Sequence, residues 1–178
     1  MQKQRIAIIT GGSSGKGLAI AKKFASHNIA VIIADIVQPE ETSADISYKA
    51  CDISNSKNIN DLYQWVTDNY GIPDFLILNA GRGIREKLSE GDPEKWQKIL
   101  ETNVMGALRC IRAFIPQMLE RKNGNVIFIS SVSANQPHPY GGIYSASKSA
   151  LEVIAETLRL ETIPYINVTV ISPGITDT

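Results

Sequence analysis

The chain has 178 residues, 43% of them hydrophobic and 20% charged, and its 18 basic side chains balance 18 acidic ones. This length and composition fit a single globular domain over residues 1–178 with a sizeable core. The lack of a basic excess argues against binding to nucleic acid or to an anionic membrane. Two separated cysteines and two separated histidines predict neither a disulfide framework nor a metal site. The N-terminal apolar run is too short for a signal peptide, so we expect a cytoplasmic protein.

Short β-branched runs alternate with longer stretches of helical periodicity, which is typical of a parallel sheet covered by helices. The predicted strands are residues 5–9, 30–34, 48–51, 75–78, 125–129 and 167–171. The predicted helices are residues 15–26, 56–69, 93–121 and 142–163. Between the second and third strands, residues 36–47 contain a proline, acids and small polar residues. We expect a loop there rather than a helix.

The first predicted strand runs into the sequence TGGSSGKGL, which has the glycine spacing GxxxGxG. Gly11 would allow a tight turn, Gly15 a close approach of backbone to a pyrophosphate, and Gly17 close packing of helix on sheet. The N-terminus of the next helix offers free N–H groups to phosphates. A plain glycine-rich turn is the alternative, but the strand–turn–helix context favours a dinucleotide site. The cofactor-binding residues predicted in this glycine loop are Gly11, Ser13, Ser14, Gly15, Lys16 and Gly17.

Asp35 follows the second predicted strand. A carboxylate at this position can accept hydrogen bonds from both hydroxyls of the adenosine ribose, and it would repel a 2′-phosphate. We therefore expect NAD as the cofactor, with NADP less favoured. A basic Lys16 would suit a 2′-phosphate, but its place at the start of a helix predicts that it faces solvent. A cap at the end of the strand is the alternative role for Asp35.

Further motifs occur in order along the chain: Asn79-Ala80-Gly81, Asn103, Ser131, Tyr144-x-x-x-Lys148 and Pro173-Gly174. With the glycine loop, they make essentially the whole chain similar to short-chain dehydrogenases/reductases. The resemblance implies an α/β Rossmann fold, a doubly wound parallel sheet of strand order 3-2-1-4-5-6. It also implies an NAD(P)-dependent oxidoreductase that transfers a hydride between a nicotinamide cofactor and an alcohol or carbonyl substrate.

The resemblance implies cofactor contacts beyond the glycine loop. Asp52, followed by Ile53, matches the position that binds the adenine amino group, and a helix cap near Ser56 is the alternative role for Asp52. The turn that matches the segment behind the cofactor consists of Asn79, Ala80 and Gly81. The residues that match those near the nicotinamide carboxamide are Pro173, Gly174, Ile175 and Thr178.

Tyr144 and Lys148 are four residues apart in a predicted helix, so their side chains share one face about one turn apart. A free tyrosine is too weak an acid to serve as a base at neutral pH, but a neighbouring ammonium favours its phenolate. Tyr144 could then exchange a proton with the substrate oxygen. The resemblance adds that Lys148 binds the nicotinamide ribose. An isolated pair would more simply be a packing aromatic and a solvated charge, but the accompanying motifs favour catalysis.

Ser131 lies thirteen residues before Tyr144, which is the spacing of the family. Its hydroxyl can donate to the substrate oxygen and hold it against Tyr144. The neighbouring Ser130 and Ser133 have no such match.

Asn103 lies within a long helical stretch, where asparagine is a poor helix former. The resemblance implies a local kink whose carbonyl holds a water that relays protons to Lys148. Gly106 and Pro116 in the same stretch also indicate a bent helix.

Full-length members of the family continue past the Pro-Gly pair with a helical segment over the substrate and a seventh strand. This chain ends before both, so the predicted strand 167–171 would be an exposed, β-branched edge that invites pairing. We therefore expect either a homodimer or higher homo-oligomer, or a fragment of a longer protein. Dimers of the family pack through two long helices, which correspond to residues 93–121 and 142–163.

Two alternatives to an active oxidoreductase stay open, a catalytically idle dinucleotide-binding module and a fragment of a longer dehydrogenase. The substrate is not specified by these patterns. His138 and Tyr140 could contact a ligand, and Arg82 and Arg85 could meet an anionic substrate. Ordinary loop chemistry and a solvated loop are the simpler interpretations of these four residues.

Overall fold

The computed structural model describes residues 4–40 and 43–175. Six strands form one parallel sheet in the order β3-β2-β1-β4-β5-β6, which confirms the predicted doubly wound topology. The strands are β1 (Ile6–Thr10), β2 (Ala30–Asp35), β3 (Ile46–Ala50), β4 (Phe75–Leu78), β5 (Gly124–Ile129) and β6 (Ile166–Ile171). The third strand begins two residues earlier than predicted, because Ile46 is buried and pairs with Val31.

Over the described residues, five α-helices, a π-helical segment and a 3-10 turn lie between the strands. The helices are α1 (Gly15–Ala25), α2 (Ser56–Asn69), α3 (Pro93–Leu100), α4 (Gly106–Glu120) and α5 (Gly142–Thr162). A π-helical segment, Glu101–Met105, joins α3 to α4, and a 3-10 turn, Val132–Ala134, precedes α5. The single helix predicted over residues 93–121 is therefore interrupted at Asn103, whereas Pro116 lies inside α4 without ending it. Residues 36–40 and 43–45 contain no helix, as predicted.

Alternate residues of the central strand β1 pack into two hydrophobic cores, one on each face of the sheet. Ile6 and Ile8 of β1 face a core that includes side chains of α2, α4 and α5, while Ala7 and Ile9 face a second core that includes Ala21 of α1. All five residues of β1 are buried, as expected for a parallel strand covered on both faces. Among the described residues, no helix is long and apolar enough to cross a membrane.

The fold places a site at the carboxyl ends of the strands. In a doubly wound sheet, the loops that follow the strands meet at this edge, where the strand order reverses between β1 and β4. Asn55 caps α2 by accepting hydrogen bonds from the N–H groups of Lys57 and Asn58, and Asp92 caps α3 ahead of Pro93, as its sequence predicted. These caps fix where the helices begin beside that edge.

Candidate active site

A cavity of about 550 Å³ lies at the carboxyl edge of the sheet. Its volume is within the range of small-molecule and cofactor sites. Its walls bring together many of the predicted cofactor and catalytic residues, namely Gly11, Ser14, Gly15, Lys16, Gly17, Asp35, Asp52, Ile53, Asn79, Ala80, Gly81, Tyr144 and Lys148. Residues far apart in the chain thus meet around one space.

The glycine loop packs tightly against its surroundings. Gly11 has a φ of +64°, a conformation that favours glycine, and a Cβ built there would lie 2.8 Å from Cα of Ala80. A Cβ on Gly17 would overlap the carbonyl oxygen of Gly11 and lie 2.6 Å from Nδ2 of Asn79. Ser14 begins α1 without a side-chain cap, so N–H groups of the first turn are left for another acceptor. This bare backbone fits a pyrophosphate.

Hydrogen bonds join the turn after β4 to the glycine loop. Nδ2 of Asn79 donates to the carbonyl oxygens of Thr10 (3.0 Å) and Gly11 (2.7 Å). Oγ1 of the buried Thr10 accepts hydrogen bonds from the N–H groups of Asn79 and Ala80, each at 3.1 Å. Asn79 therefore holds the loop in place with its side chain, a role that its sequence position alone did not reveal.

Asp35 is held at the end of β2. Its Oδ2 accepts from the N–H of Ser13 at 3.0 Å, and its Oδ1 accepts from the N–H of Val37 at 3.3 Å. The hydroxyl of Ser13 donates to the carbonyl oxygen of Val37. In this structure Ser13 thus orients Asp35, whereas the sequence analysis assigned Ser13 to the cofactor.

Asp52 follows β3 and is exposed. Its Oδ1 accepts from the N–H (2.9 Å) and the hydroxyl (2.7 Å) of Ser54. The N-terminal cap of α2 is Asn55, so the alternative role of Asp52 as that cap is wrong. The carboxylate stays in the cavity wall next to Ile53.

Tyr144 and Lys148 face the cavity from α5, one turn apart. Lys148 is only 4% exposed, and its Nζ donates to the carbonyl oxygen of Ile129 at 2.7 Å. The same Nζ lies 5.9 Å from the centre of the Tyr144 ring. Burial, and secondly the positive charge of Lys16, lower the pKa of Lys148 to about 8. Lys16 is exposed, as predicted, but it also lines the cavity.

Asn103 lies in the π-helical segment and is 1% exposed. Its Oδ1 accepts from the N–H of Arg82 at 2.7 Å, and its Nδ2 donates to the carbonyl oxygen of Arg82 and to Oγ of Ser147, each at 2.9 Å. Ser147 in turn donates to the carbonyl oxygen of Tyr144 at 2.7 Å. The Asn103 side chain therefore ties the loop after β4 to the helix of Tyr144 and Lys148. The water held by its carbonyl stays a prediction.

Ser147 was not predicted as a site residue. This serine is fully buried and directly precedes Lys148. A small polar residue on the side of α5 that faces the π-helical segment was the available signal, but only the fold shows that Asn103 reaches it.

Ser131 starts the 3-10 turn, where its Oγ accepts from the N–H of Ser133 at 3.2 Å. Its own hydroxyl hydrogen is left to donate elsewhere. The cavity wall beside Lys148 is formed by Ile129 and Ser130, and in the described part of the chain Ser131 lies outside that wall. The structure therefore places Ser131 next to the cavity and leaves its contact with a substrate as a prediction.

The residues predicted near the nicotinamide carboxamide differ in how close to the Ser131 turn they lie. The carbonyl oxygen of Pro173 accepts from the N–H of Val132 at 3.0 Å, which sets it beside the Ser131 turn. Gly174 and Ile175 are exposed, and over residues 4–40 and 43–175 neither belongs to the cavity wall. Thr178 lies outside the described residues.

The loop after β4 is anchored by Glu86, which the sequence analysis missed. Its Oε2 accepts from Nε1 of Trp96 (2.9 Å) and from the N–H of Asp92 (3.1 Å), and its Oε1 accepts from Nζ of Lys95 (3.2 Å). The hydrogen bond from the Asp92 backbone is the main reason that the pKa of Glu86 is lowered. Its backbone N–H donates to the carbonyl oxygen of Tyr140, which joins the two loops at the cavity mouth.

Of the four residues considered for substrate contact, only one lines the cavity. Arg82 lies in its wall, whereas Arg85, His138 and Tyr140 are exposed on the two loops and lie outside the wall as described.

Comparisons with known proteins agree with this geometry. The chain matches the family model described as short chain dehydrogenase over residues 5–178. It is 31% identical over 185 residues to an uncharacterized oxidoreductase of Staphylococcus epidermidis, covering 99% of this chain and 80% of that protein.

Two solved structures show the same similarity. A 3-ketoacyl-(acyl-carrier-protein) reductase from Brucella melitensis, complexed with NADH, matches with a TM-score of 0.92 and 27% identity, over 96% of this chain and 75% of that one. A gluconate 5-dehydrogenase from Burkholderia cenocepacia, in complex with NADP and tartrate, matches with a TM-score of 0.90 and 25% identity, over 98% of this chain and 72% of that one.

Proposed function

Because this chain belongs to the short-chain dehydrogenase family, we propose that it transfers a hydride between a nicotinamide dinucleotide and an alcohol or carbonyl substrate. The observation that carries the proposal is the meeting of Tyr144 and Lys148 with the glycine loop around one cavity. A module that only bound a dinucleotide would not need a buried lysine beside a tyrosine.

The residues present fit a dinucleotide. The glycine loop leaves no room for a side chain at Gly17, and the Ser14 side chain does not cap the first turn of α1. We assign the pyrophosphate to this loop and the adenosine ribose to Asp35 at the end of β2. The nicotinamide end then belongs beside Tyr144 and Lys148, where the bound cofactor would supply or accept the hydride.

Tyr144 handles the proton in this proposal. In the reducing direction the hydride goes to the carbonyl carbon and the Tyr144 hydroxyl gives its proton to the carbonyl oxygen; in the oxidising direction both steps reverse. Lys148 in its charged form stabilises the resulting phenolate, since an opposite charge nearby favours the ionised form. Ser131 donates to the substrate oxygen and orients it towards Tyr144.

We assign NAD rather than NADP to the site. The Asp35 carboxylate is fixed by the N–H groups of Ser13 and Val37, so it cannot easily turn away from a 2′-phosphate. Lys16 lines the cavity that Lys148 also lines, and its charge contributes to the lowered pKa of Lys148. We assign Lys16 to the cofactor phosphates.

We also propose a homodimer that packs through α4 and α5. Val153 and Leu160 lie seven residues apart on α5, so they share a face, and they are 68% and 70% exposed. Two exposed apolar side chains on one face of α5 support the proposal that a second copy of the chain packs against this face. Light scattering of the purified chain tests this, and a monomer at high concentration would contradict it.

The proposed activity is tested by nicotinamide absorbance with a panel of alcohols and ketones, alongside NADH fluorescence for binding. Tyr144→Phe should abolish turnover and leave NADH affinity within about twofold. Tyr165→Phe, an exposed tyrosine after α5, is the matched control and should behave like the original chain. NADH binding without any turnover, unchanged by Tyr144→Phe, would instead indicate an idle binding module.

A further inference from the structure

Glu152 lies on α5 one helical turn after Lys148, and its carboxylate reaches three other segments of the chain. Its Oε1 accepts from the hydroxyls of Ser130 and Ser172, each at 3.0 Å, and its Oε2 accepts from Nδ2 of Asn135 at 2.9 Å. These donors follow β5, β6 and the 3-10 turn, respectively. One side chain therefore joins the catalytic helix to three segments beside the cavity.

Two of the three donors are direct neighbours of predicted site residues. Ser130 precedes Ser131, and Ser172 precedes Pro173. The backbone connects the same segments, because the N–H of Ser130 donates to the carbonyl oxygen of Ile171 at 2.8 Å. A displacement of Ser130 or Ser172 would thus be passed on to the Ser131 turn.

The hydrogen bonds to Glu152 have a charged carboxylate as their acceptor. Burial would raise the pKa of Glu152, but the hydrogen bonds from Asn135, Ser172 and Ser130 lower it below its ordinary value. The carboxylate is therefore ionised at neutral pH. Hydrogen bonds to a charged acceptor are roughly twice as strong as those between neutral groups.

We propose that Glu152 is a positioning residue that fixes the Ser131 turn against the helix carrying Tyr144 and Lys148. It touches neither cofactor nor substrate; it acts through Ser130 and so sets where the Ser131 hydroxyl stands relative to the Tyr144 hydroxyl. This inference rests on the proposed function, in which those two hydroxyls hold the substrate oxygen. A misplacement of about 1 Å in such a pair can slow a reaction by roughly 100-fold.

The chain offers a matched control one turn further along α5. Glu156 is exposed and pairs with Arg159 on the surface of the same helix. Glu156→Ala removes the same carboxylate from the same helix without touching the Ser131 turn. It should leave turnover and cofactor affinity unchanged.

The central test compares Glu152→Ala with Glu156→Ala at saturating cofactor. We expect Glu152→Ala to lower kcat by about 10- to 100-fold while the NADH Kd stays within twofold, because the glycine loop is not involved. Glu152→Gln keeps an acceptor for Ser130 and Ser172 and should recover most of the rate. Ser172→Ala, which removes one donor, serves if the alanine variant fails to fold, and it should lower kcat by about two- to fivefold.

A double-mutant cycle separates positioning from general destabilisation. If Glu152 acts through Ser131, adding Glu152→Ala to Ser131→Ala should cause no further loss of kcat. Additive losses, a parallel loss of NADH affinity, or full activity of Glu152→Ala would overturn the inference.

Hydrogen exchange gives a readout that does not depend on turnover. Glu152→Ala should lower the protection of the Val132 N–H, which donates to Pro173, whereas Glu156→Ala should not. Unchanged protection would overturn the inference. If the original chain shows no turnover while this protection behaves as expected, the proposed function fails and the positioning contact stands.

Discussion

At the glycine loop the chain packs so closely that a Cβ on Gly17 would overlap the carbonyl oxygen of Gly11, whereas no atom of the described residues lies within 4 Å of a Cβ added to Gly174. Gly83, in the loop after β4, is similarly open, with its nearest neighbour, Cδ2 of Tyr144, at 4.0 Å. The end of the cavity at the glycine loop, where we propose that the cofactor binds, is thus a cradle of closely packed backbone. The loops after β4 and β6, which we call the rim, leave open space at Gly83 and Gly174. A closely packed cradle is suited to a cofactor of fixed shape, and loops with open space are suited to substrates of differing shape.

The two ends also differ in charge. The cradle presents backbone N–H groups and the carboxylate of Asp35, which the loop itself hydrogen-bonds. The other end buries the amine of Lys148, which donates a hydrogen bond to the carbonyl oxygen of Ile129. A buried amine that must be charged to act lowers the stability of the ligand-free protein, so function and stability oppose each other there.

The largest effect is expected in the cradle. Gly17→Ala should weaken NADH binding by about 100-fold, because the added Cβ forces the backbone of Gly11 and the side chain of Asn79 apart. Lys23→Ala, at an exposed position of the same helix, is the control and should bind NADH like the original chain. Fluorescence titration measures the NADH affinity of both variants. An affinity of Gly17→Ala within threefold of the original would contradict the claim that close packing at the glycine loop is needed for binding.

Lys148→Met should abolish turnover yet make the ligand-free protein more stable by about 2–3 kcal/mol below pH 8. The folded-state pKa of Lys148 is about 8, lower than the unfolded value of about 10.5. Below pH 8 the folded protein therefore carries a buried charge at a constant penalty. That penalty fades as the pH rises from about 8 to 10.5, because there the folded state has already lost the proton that the unfolded state still binds.

Urea unfolding at pH 7 and at pH 10 checks this prediction. The stability gain of Lys148→Met should shrink at the higher pH, while the exposed Lys98→Met should show no such dependence. A gain that is equal at both pH values would mean that the amine is not the cause.

Asp35→Ala should improve the ratio of NADP to NAD affinity by about tenfold, because it removes the charge that repels a 2′-phosphate. Asp45→Ala, an exposed acid just before β3, is the control. Fluorescence titration with both reduced cofactors measures the ratio. A ratio unchanged by Asp35→Ala would assign the cofactor preference to other residues.

The smallest expected effect is a change in the pKa of Lys148 when Lys16, in the glycine loop, is replaced. Lys16→Met should raise the pKa of Lys148, since it removes the second cause of the lowered value after burial. NMR titration of the labelled Lys148 side chain measures the shift, with the exposed Lys23→Met as the control. A pKa that does not move would show that the Lys16 ammonium lies too far from Lys148 to act on it.

The cradle was predictable because its signals are local. Glycines at fixed spacing, a strand before them and a helix after them lie within about a dozen residues, and the structure shows Gly11 and Gly17 where only glycine fits. The alternation of strands and helices predicted the parallel sheet, and the resemblance to short-chain dehydrogenases implied its strand order. The break in the long helix was implied by the resemblance, as a kink at Asn103, and not by helical periodicity, because it depends on Asn103 binding the backbone of Arg82, 21 residues away.

The rim was less predictable because its contacts are tertiary. Glu86 accepts a hydrogen bond from the indole N–H of Trp96, and Glu152 accepts one from the hydroxyl of Ser130, which follows β5. No spacing rule connects these pairs. Helical periodicity places Glu152 near the face of Lys148, but it does not say which loops reach that face. The sequence therefore predicted the chemistry of the catalytic pair better than the supports around it.

The most direct measurement is a crystal structure of the chain with NAD bound. The account predicts the pyrophosphate on the glycine loop, the Tyr144 hydroxyl facing the nicotinamide end, and Nζ of Lys148 within hydrogen-bond distance of the nicotinamide ribose. A complex in which the Tyr144 hydroxyl points away from the nicotinamide and Lys148 touches no sugar would contradict it.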